Sequence, residues 1–289
     1  MEPRARLQVL SFPYASLEPL EGGRAQMNLA ARSPGSALVW EVGPKPLPDT
    51  VEFVRSRPGG LSLVAVLPEA SVLDMRPEIL APIQACRPHA LLPHHTAAVD
   101  TRAVTAALRR PPLDLGADVT DYLGWRGIAL DTDTTRVVRR IIELSGEVRT
   151  ITDLARHLYM SRRALGRRFE TRGLPVPSHW LQLARILRLA SRLQNTTATV
   201  VSIAYESGYP DGFSLSNQMH RLIGFRPSQV RDFLGWEWIL EAWLRGEAEH
   251  GGLNSRAQTR RDGTTATEPA TPPSLARPSG QRRSGQPRS

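Results

Sequence analysis

Residues 150–170 read TITDLARHLYMSRRALGRRFE. Ile151, Leu154 and Leu158 recur at helical spacing, i, i+3 and i+7, and the stripe stops near Tyr159 and Met160. A second stripe, Leu165 and Phe169 at i and i+4, follows Ser161. Thr150 and Ser161 carry hydroxyl oxygens suited to helix N-caps, and Asp153 makes the first start an approximate capping box. Two short helices with a break of two or three residues predict a sharp helical turn. The second helix carries Arg162, Arg163, Arg167 and Arg168 opposite its apolar stripe, with Gly166 among them. Such a helix can enter a major groove with guanidinium groups toward base edges and phosphates. An amphipathic hairpin with a solvated arginine face is the alternative.

The same grammar recurs at 199–231, TVVSIAYESGYPDGFSLSNQMHRLIGFRPSQVR. Thr199 can cap a helix whose apolar side is Val200, Ile203 and Ala204. Gly208 falls where a tight turn needs a left-handed residue. Asp211 can cap the next helix, with Leu215, Met219 and Leu222 inward and Phe213, Ser214, Asn217 and Gln218 outward. Asparagine can bind adenine with two hydrogen bonds, and phenylalanine can touch a thymine methyl. Between the two units, residues 178–195 are apolar on most sides, as expected of a helix buried between packed elements. The two outward helices start at Ser161 and Asp211, 50 residues apart. One chain could thereby reach two successive major grooves, about 34 Å apart on one face of DNA.

These features occur in a fixed order. LA in TDLARHL, the SRRALGRRF helix, the long connecting helix, TVVSIAYESGY and the closing GFRPSQVR together make residues 137–231 resemble the DNA-binding domain of the AraC/XylS family of transcription regulators. The resemblance implies an all-α domain with two helix-turn-helix units that binds promoter DNA. It places base-reading positions on Arg163, Gly166 and Arg167 in the first unit and on Phe213, Ser214 and Asn217 in the second. Phosphate contacts are expected from Arg162, Arg168, Arg172, Ser216, Gln218 and Arg221. Tyr159 stands where the family has a glycine, Gly166 where a larger polar residue is usual, and Met219 where an aromatic is common.

Upstream the periodicity changes. ALVWEV (37–42), LSLVAVL (61–67) and HALL (89–92) are continuous apolar runs of strand length, as found when both sheet faces are covered. Residues 49–57, 75–85 and 100–110 read as helices between or after them, and 111–127 as a connection. Alternation of strand and helix predicts a small parallel α/β domain over 36–130, with a degenerate receiver-like sheet as one form of it. Gly43-Pro44 after the first run and Pro68-Glu69 after the second do not supply the acidic residues a phosphorylated receiver needs. Residues 1–35, rich in Pro, Gly and Ser, read as irregular. The reader is expected over 136–245, with its units at 150–172 and 199–222. Residues 246–289 hold few large apolar side chains and read as a disordered basic tail.

Charge follows the same division. Of 37 basic residues only Lys45 is a lysine. Residues 1–135 carry 13 basic and 15 acidic side chains, whereas 136–245 carry 17 and 9. The excess within the overall +9 thus lies with the second half and suggests a polyanion partner there. Cys86 is the single cysteine, which excludes an intramolecular disulfide and a cysteine-rich zinc site. Its neighbours His89, His94 and His95 match no closed zinc spacing, and no metal or cofactor is expected. No nucleophile–base pair or phosphate loop points to an enzyme. No membrane span or secretory leader is found, so a cytoplasmic regulator is expected. Double-stranded DNA is its expected partner. The first half would regulate or oligomerise, through a homodimer contact or through a small-molecule or protein effector. Trp236, Leu240 and Trp243 share a helical face that either packs back on the reader or forms a dimer contact. A module binding an acidic protein through the arginine face is the competing class.

Overall fold

A computed structural model describes residues 6–67, 77–93 and 99–253. The first half is a five-stranded sheet in the order β2-β1-β3-β4-β5, with β1 Arg6–Leu10, β2 Glu18–Pro19, β3 Ala37–Glu41, β4 Ser62–Leu67 and β5 Ala90–Pro93. β3, β4 and β5 are parallel, while β1 is antiparallel to β3 and to β2. The sheet is therefore mixed, which corrects the expected parallel, receiver-like arrangement. The added strands come from the segment read as irregular. Residues 1–35 in fact supply β1, β2 and α1 (Gly23–Ala30). Strands of five and two residues among prolines and glycines leave little periodicity to detect, and Pro19 is tolerated because β2 is an edge strand.

The first two continuous apolar runs have the physical cause proposed for them, whereas the third, 89–92, enters the edge strand β5 and is only half-buried or exposed. Leu38, Trp40, Leu63 and Ala65 face one side and pack with Met27 of α1, Val54 of α2 (Pro48–Arg55) and Ile83 of α3 (Pro77–Ala85). Ala37, Val39, Val64 and Val66 face the other and pack with Val104 and Leu108 of α4 (Thr101–Arg109). Alternate residues thus serve two different cores, so no position along β3 or β4 is free to be polar except at the ends. Arg57 is fully buried beneath the first face. Its guanidinium donates to the carbonyls of Leu61 (2.9 Å), Cys86 (2.6 Å) and Arg87 (2.9 Å) and lies 4.3 Å from the Trp125 ring centroid. Burial lowers its pKa to about 10, which still leaves it charged at neutral pH.

The second half is helical: α5 Leu115–Trp125, α6 Thr132–Leu144, α7 Ile151–His157, α8 Arg162–Glu170, α9 Pro177–Asn195, α10 Val200–Glu206, α11 Gly212–Ile223, α12 Pro227–Asp232 and α13 Glu237–Glu249. Helix α5 corrects the reading of 111–127 as a connection. Asp114 caps it by accepting from Ala117 N at 2.9 Å, and Val119, Tyr122 and Leu123 join the helical core. The Pro111-Pro112 pair and two glycines masked that helix in the sequence. Order also runs past the expected boundary at 245. Helix α13 continues to Glu249, Glu247 pairs with His179 at 2.9 Å, and Leu253 is buried. Residues 254–289, the bulk of the expected tail, lie outside the described residues, as do His94 and His95.

The two halves share a polar seam. Glu237, 1% exposed at the start of α13, pairs with Arg87 (3.0 Å) and His89 (3.0 Å) and accepts from Ser62 Oγ. Glu241, one turn on, pairs with Arg126 and accepts from Tyr122 Oη at 2.8 Å. Tyr122 Oη in turn accepts from Gly60 N at 2.8 Å. Leu234 packs against the sheet with Val104 and Leu108. The Trp236–Trp243 segment thus packs inward on both halves of its own chain, and Trp243 lies 4.8 Å from Trp180.

Candidate nucleic-acid interface

Four side chains start the four helices of interest, each by accepting a hydrogen bond from a backbone N–H. Thr150 Oγ1 accepts from Asp153 N (3.1 Å), Ser161 Oγ from Ala164 N (3.1 Å), Thr199 Oγ1 from Ser202 N (3.1 Å) and Asp211 Oδ1 from Ser214 N (2.6 Å). Each satisfies one orphan donor of the first turn. The hydrogen bond to Ser214 N also holds the Asp211 carboxyl below the usual carboxylate range. The turns match as well. Met160 N donates to Ala155 O and Tyr209 N to Ala204 O, both at 2.9 Å, so each first helix closes the same way. The residue that permits this closure is Tyr159 (φ 52°) in one pair and Gly208 (φ 77°) in the other. A Cβ on Gly208 would meet the Arg149 guanidinium, which lies over the turn.

Helix α9 carries both pairs. Trp180, Leu183, Ala184, Ile186, Leu187, Ala190 and Leu193 are all buried, on more than one face. The second helices anchor into this core through Leu165 and Phe169 of α8 and through Leu215, Met219 and Ile223 of α11. Leu222, expected to point inward, is only half-buried, and Ile223 takes the core position.

With those faces buried, the opposite faces are open. Arg162, Arg163 and Arg167 are exposed on α8, and Arg168 is half-buried. None of these four guanidinium groups has an ion-pair partner among the described residues. Helix α8 has no acidic residue in its first turn, where Arg162 and Arg163 lie against the positive end of the helix dipole. That placement costs about 0.3–1 kcal/mol per charge at such positions. Gly166 faces open space. On α11, Phe213 is 71% exposed and Asn217 and Arg221 are exposed, while Ser214, Ser216 and Gln218 are half-buried. Ser216 Oγ receives Arg226 Nη1 at 3.4 Å.

Arg172 differs from the rest of the expected phosphate set. Its Nε pairs with Asp131, the N-cap of α6, and holds that carboxyl well below its usual range. It is not a free cation. Arg149 was not among the sequence-derived site residues. It is exposed directly before the Thr150 cap and reaches the second turn, a placement no local spacing reveals. Arg188, by contrast, is committed to the α6 C-terminus, donating to Ile142 O (3.0 Å) and Glu143 O (3.1 Å). Cys86 is buried, with its Sγ 3.4 Å from Val51 O, and burial pushes its pKa up to about 11. Among the described residues no group of three or more His, Cys, Asp or Glu is placed to hold a metal ion.

Residues 154–232 match the family described as a helix-turn-helix domain. Over 86 residues the chain is 35% identical to the raffinose operon transcriptional regulatory protein RafR of Pediococcus pentosaceus. That match spans 30% of this chain and 31% of RafR, so the similarity covers about a third of the curated relative. Among solved structures the chain is similar to the xylose-binding transcription activator xylR, with 12% identity, a TM-score of 0.35 and coverage of 65% of this chain and 57% of that one.

Proposed function

We propose that the protein is a DNA-binding transcription regulator of the AraC/XylS type that reads two successive major grooves, a reading supported by the match of residues 154–232 to a helix-turn-helix family. One observation carries this reading. Two capped helices, α8 and α11, start 50 residues apart, are anchored in one core around α9, and turn Arg162, Arg163, Arg167, Phe213 and Asn217 to solvent.

The two helices would divide the work. Arg163 and Arg167 read bases, guanine by preference, since a guanidinium donates two parallel hydrogen bonds to guanine O6 and N7. Gly166 leaves room for close approach. Arg162 and Arg168 hold phosphates and fix the register, and Arg172 contributes only as far as Asp131 releases it. In the second groove Asn217 reads adenine, Phe213 covers a thymine methyl, and Ser214 adds a hydroxyl contact. Ser216, Gln218 and Arg221 hold the backbone there. No described helix is long and apolar enough to cross a membrane. The sheet half, from β1 through α4, would regulate the reader.

The test is selection by the full-length chain from a random duplex pool at about 0.15 M salt, where weak phosphate contacts are screened. Enrichment of a bipartite site with motifs one helical turn apart is the expected result. Salt-sensitive binding without enrichment would contradict sequence reading and favour a general acidic partner.

A further inference from the structure

A cavity of about 490 Å³ opens on the seam between the halves. Its walls are the start of β5, the 110–114 link between α4 and α5, the first turns of α5, and Trp236 with Glu237. Its volume lies in the range that holds small metabolites. The apolar lining is Leu91, Ala107, Leu113, Pro111, Pro112 and Trp236. Leu113 is wholly exposed in this link, so a large apolar side chain there lacks a partner.

Most charged groups in the lining are already committed. Arg87 and His89 are paired with Glu237, and Asp114 caps α5. Two are not. The Arg110 guanidinium has no ion-pair partner among the described residues, although its backbone closes α4. The Asp118 carboxylate is half-buried and accepts no hydrogen bond among the described residues; only its backbone oxygen is used, by Arg87 Nη2 at 3.0 Å. Burial raises its pKa despite the nearby positive charges of Arg87 and His89. A cation without an ion-pair partner and a carboxylate that accepts no hydrogen bond, both among the described residues, therefore line the same partly apolar cavity.

We propose that this cavity binds a small zwitterion with an apolar body, of the amino-acid class. Its carboxylate meets Arg110, its ammonium meets Asp118, and its side chain lies against Trp236, Leu113 and the proline pair. The ligand would touch the sheet half and the first residues of α13 at once. Helix α13 packs into the reader's core through Trp243 on Trp180, so occupancy and DNA affinity would be linked reciprocally. That coupling rests on the DNA-reading function; the binding site itself does not.

The first test therefore leaves DNA out. Titration of the full-length chain with L-phenylalanine, 3-phenylpropionate and phenethylamine is followed by calorimetry and by thermal shift. The expected result is saturable binding of phenylalanine, with each half-ligand weaker by about tenfold or more, since each lacks one charge-assisted contact. Arg110→Ala should bring phenylalanine down to the affinity of the amine, and Asp118→Asn to that of the acid, with the ligand-free melting temperature unchanged. Absence of saturable binding by all three would overturn the proposal, and so would phenylpropionate binding as tightly as phenylalanine with no response to Asp118→Asn. Neither result would bear on whether α8 and α11 read DNA.

Discussion

In the first helical pair the turn residue is Tyr159, 98% exposed, and the outward helix carries four arginines. In the second the turn residue is Gly208, and the outward helix offers Phe213, Asn217 and a single arginine, Arg221. The backbones nevertheless match: a hydroxyl or carboxylate cap, a left-handed turn residue, and the same closing hydrogen bond at 2.9 Å. The difference teaches which positions the scaffold constrains. Caps, turn and anchoring apolar residues are fixed by the need to close two short helices on α9. The outward face is free of that need, and its chemistry differs between the pairs. Arginine supplies attraction that salt weakens, whereas amide and ring contacts discriminate with little salt dependence.

The largest expected effect tests what the pairs share. Trp180 packs under Phe169 at 6.3 Å and against Trp243 at 4.8 Å. Trp180→Ala should lower the unfolding free energy by about 3–5 kcal/mol in denaturant titration, with both pairs melting together. A loss under about 1 kcal/mol would mean that the first pair does not depend on this core.

Next comes the division of labour itself. Arg163→Ala should cost about 1–3 kcal/mol on a selected site and relax preference at one base pair, whereas Arg162→Ala should weaken binding to every site alike and flatten the salt slope by about 1. Asn217→Ala should cost a similar 1–3 kcal/mol on the correct base while leaving the salt slope unchanged. Equal salt behaviour in Arg162→Ala and Asn217→Ala, read by anisotropy at several salt concentrations, would erase the contrast.

The seam holding α13 against the sheet adds a pH dependence. Burial opposes charge on His89, but the charge and hydrogen bond of Glu237 outweigh it, and the His89 pKa is raised. Burial likewise opposes ionisation of Glu237, yet His89, Arg87 and Ser62 hold it below its usual range, and Asp118 lies nearby. A raised histidine stabilises fully below its ordinary 6.5 and loses that contribution as pH climbs through the higher folded value. A lowered glutamate stabilises above its ordinary 4.5 and loses that contribution as pH falls through the lower folded value. Stability from this seam should therefore peak between those two values. His89→Gln should abolish the alkaline decline in thermal melts; a decline that persists would assign it elsewhere.

The smallest effects lie in the turns. Tyr159→Gly should gain about 0.5–1 kcal/mol by relieving a left-handed tyrosine. Gly208→Ala should lose about 1 kcal/mol or more, because an alanine held at φ 77° is strained. Like signs from the two substitutions would show that the turns are not equivalent.

Much of the reader was legible because its signals are local. Thr150, Ser161, Thr199 and Asp211 cap within three residues of themselves, and the apolar stripes repeat within one helix. The buried nature of β3 and β4 was legible for the same reason. What escaped depends on distant partners. Strand β1 is a strand because it pairs with β3, and α5 is a helix whose inner face is Tyr122 and Leu123 against the reader core. The Asp131–Arg172 pair spans 41 residues and removes a cation that the local pattern offered to phosphate. Arg149 reaches Gly208 across 59 positions, and Glu237 reaches His89 across 148.

The central claim is that one rigid chain presents two helices to two grooves. The most direct measurement compares binding of the full-length protein to its selected site with binding to the same site carrying about 5 extra base pairs, half a helical turn, between the motifs. The expected result is affinity falling at least about tenfold, to that of a site with one motif intact, because the buried core around α9 cannot follow the rotation. Unchanged affinity across the insertion would contradict the claim.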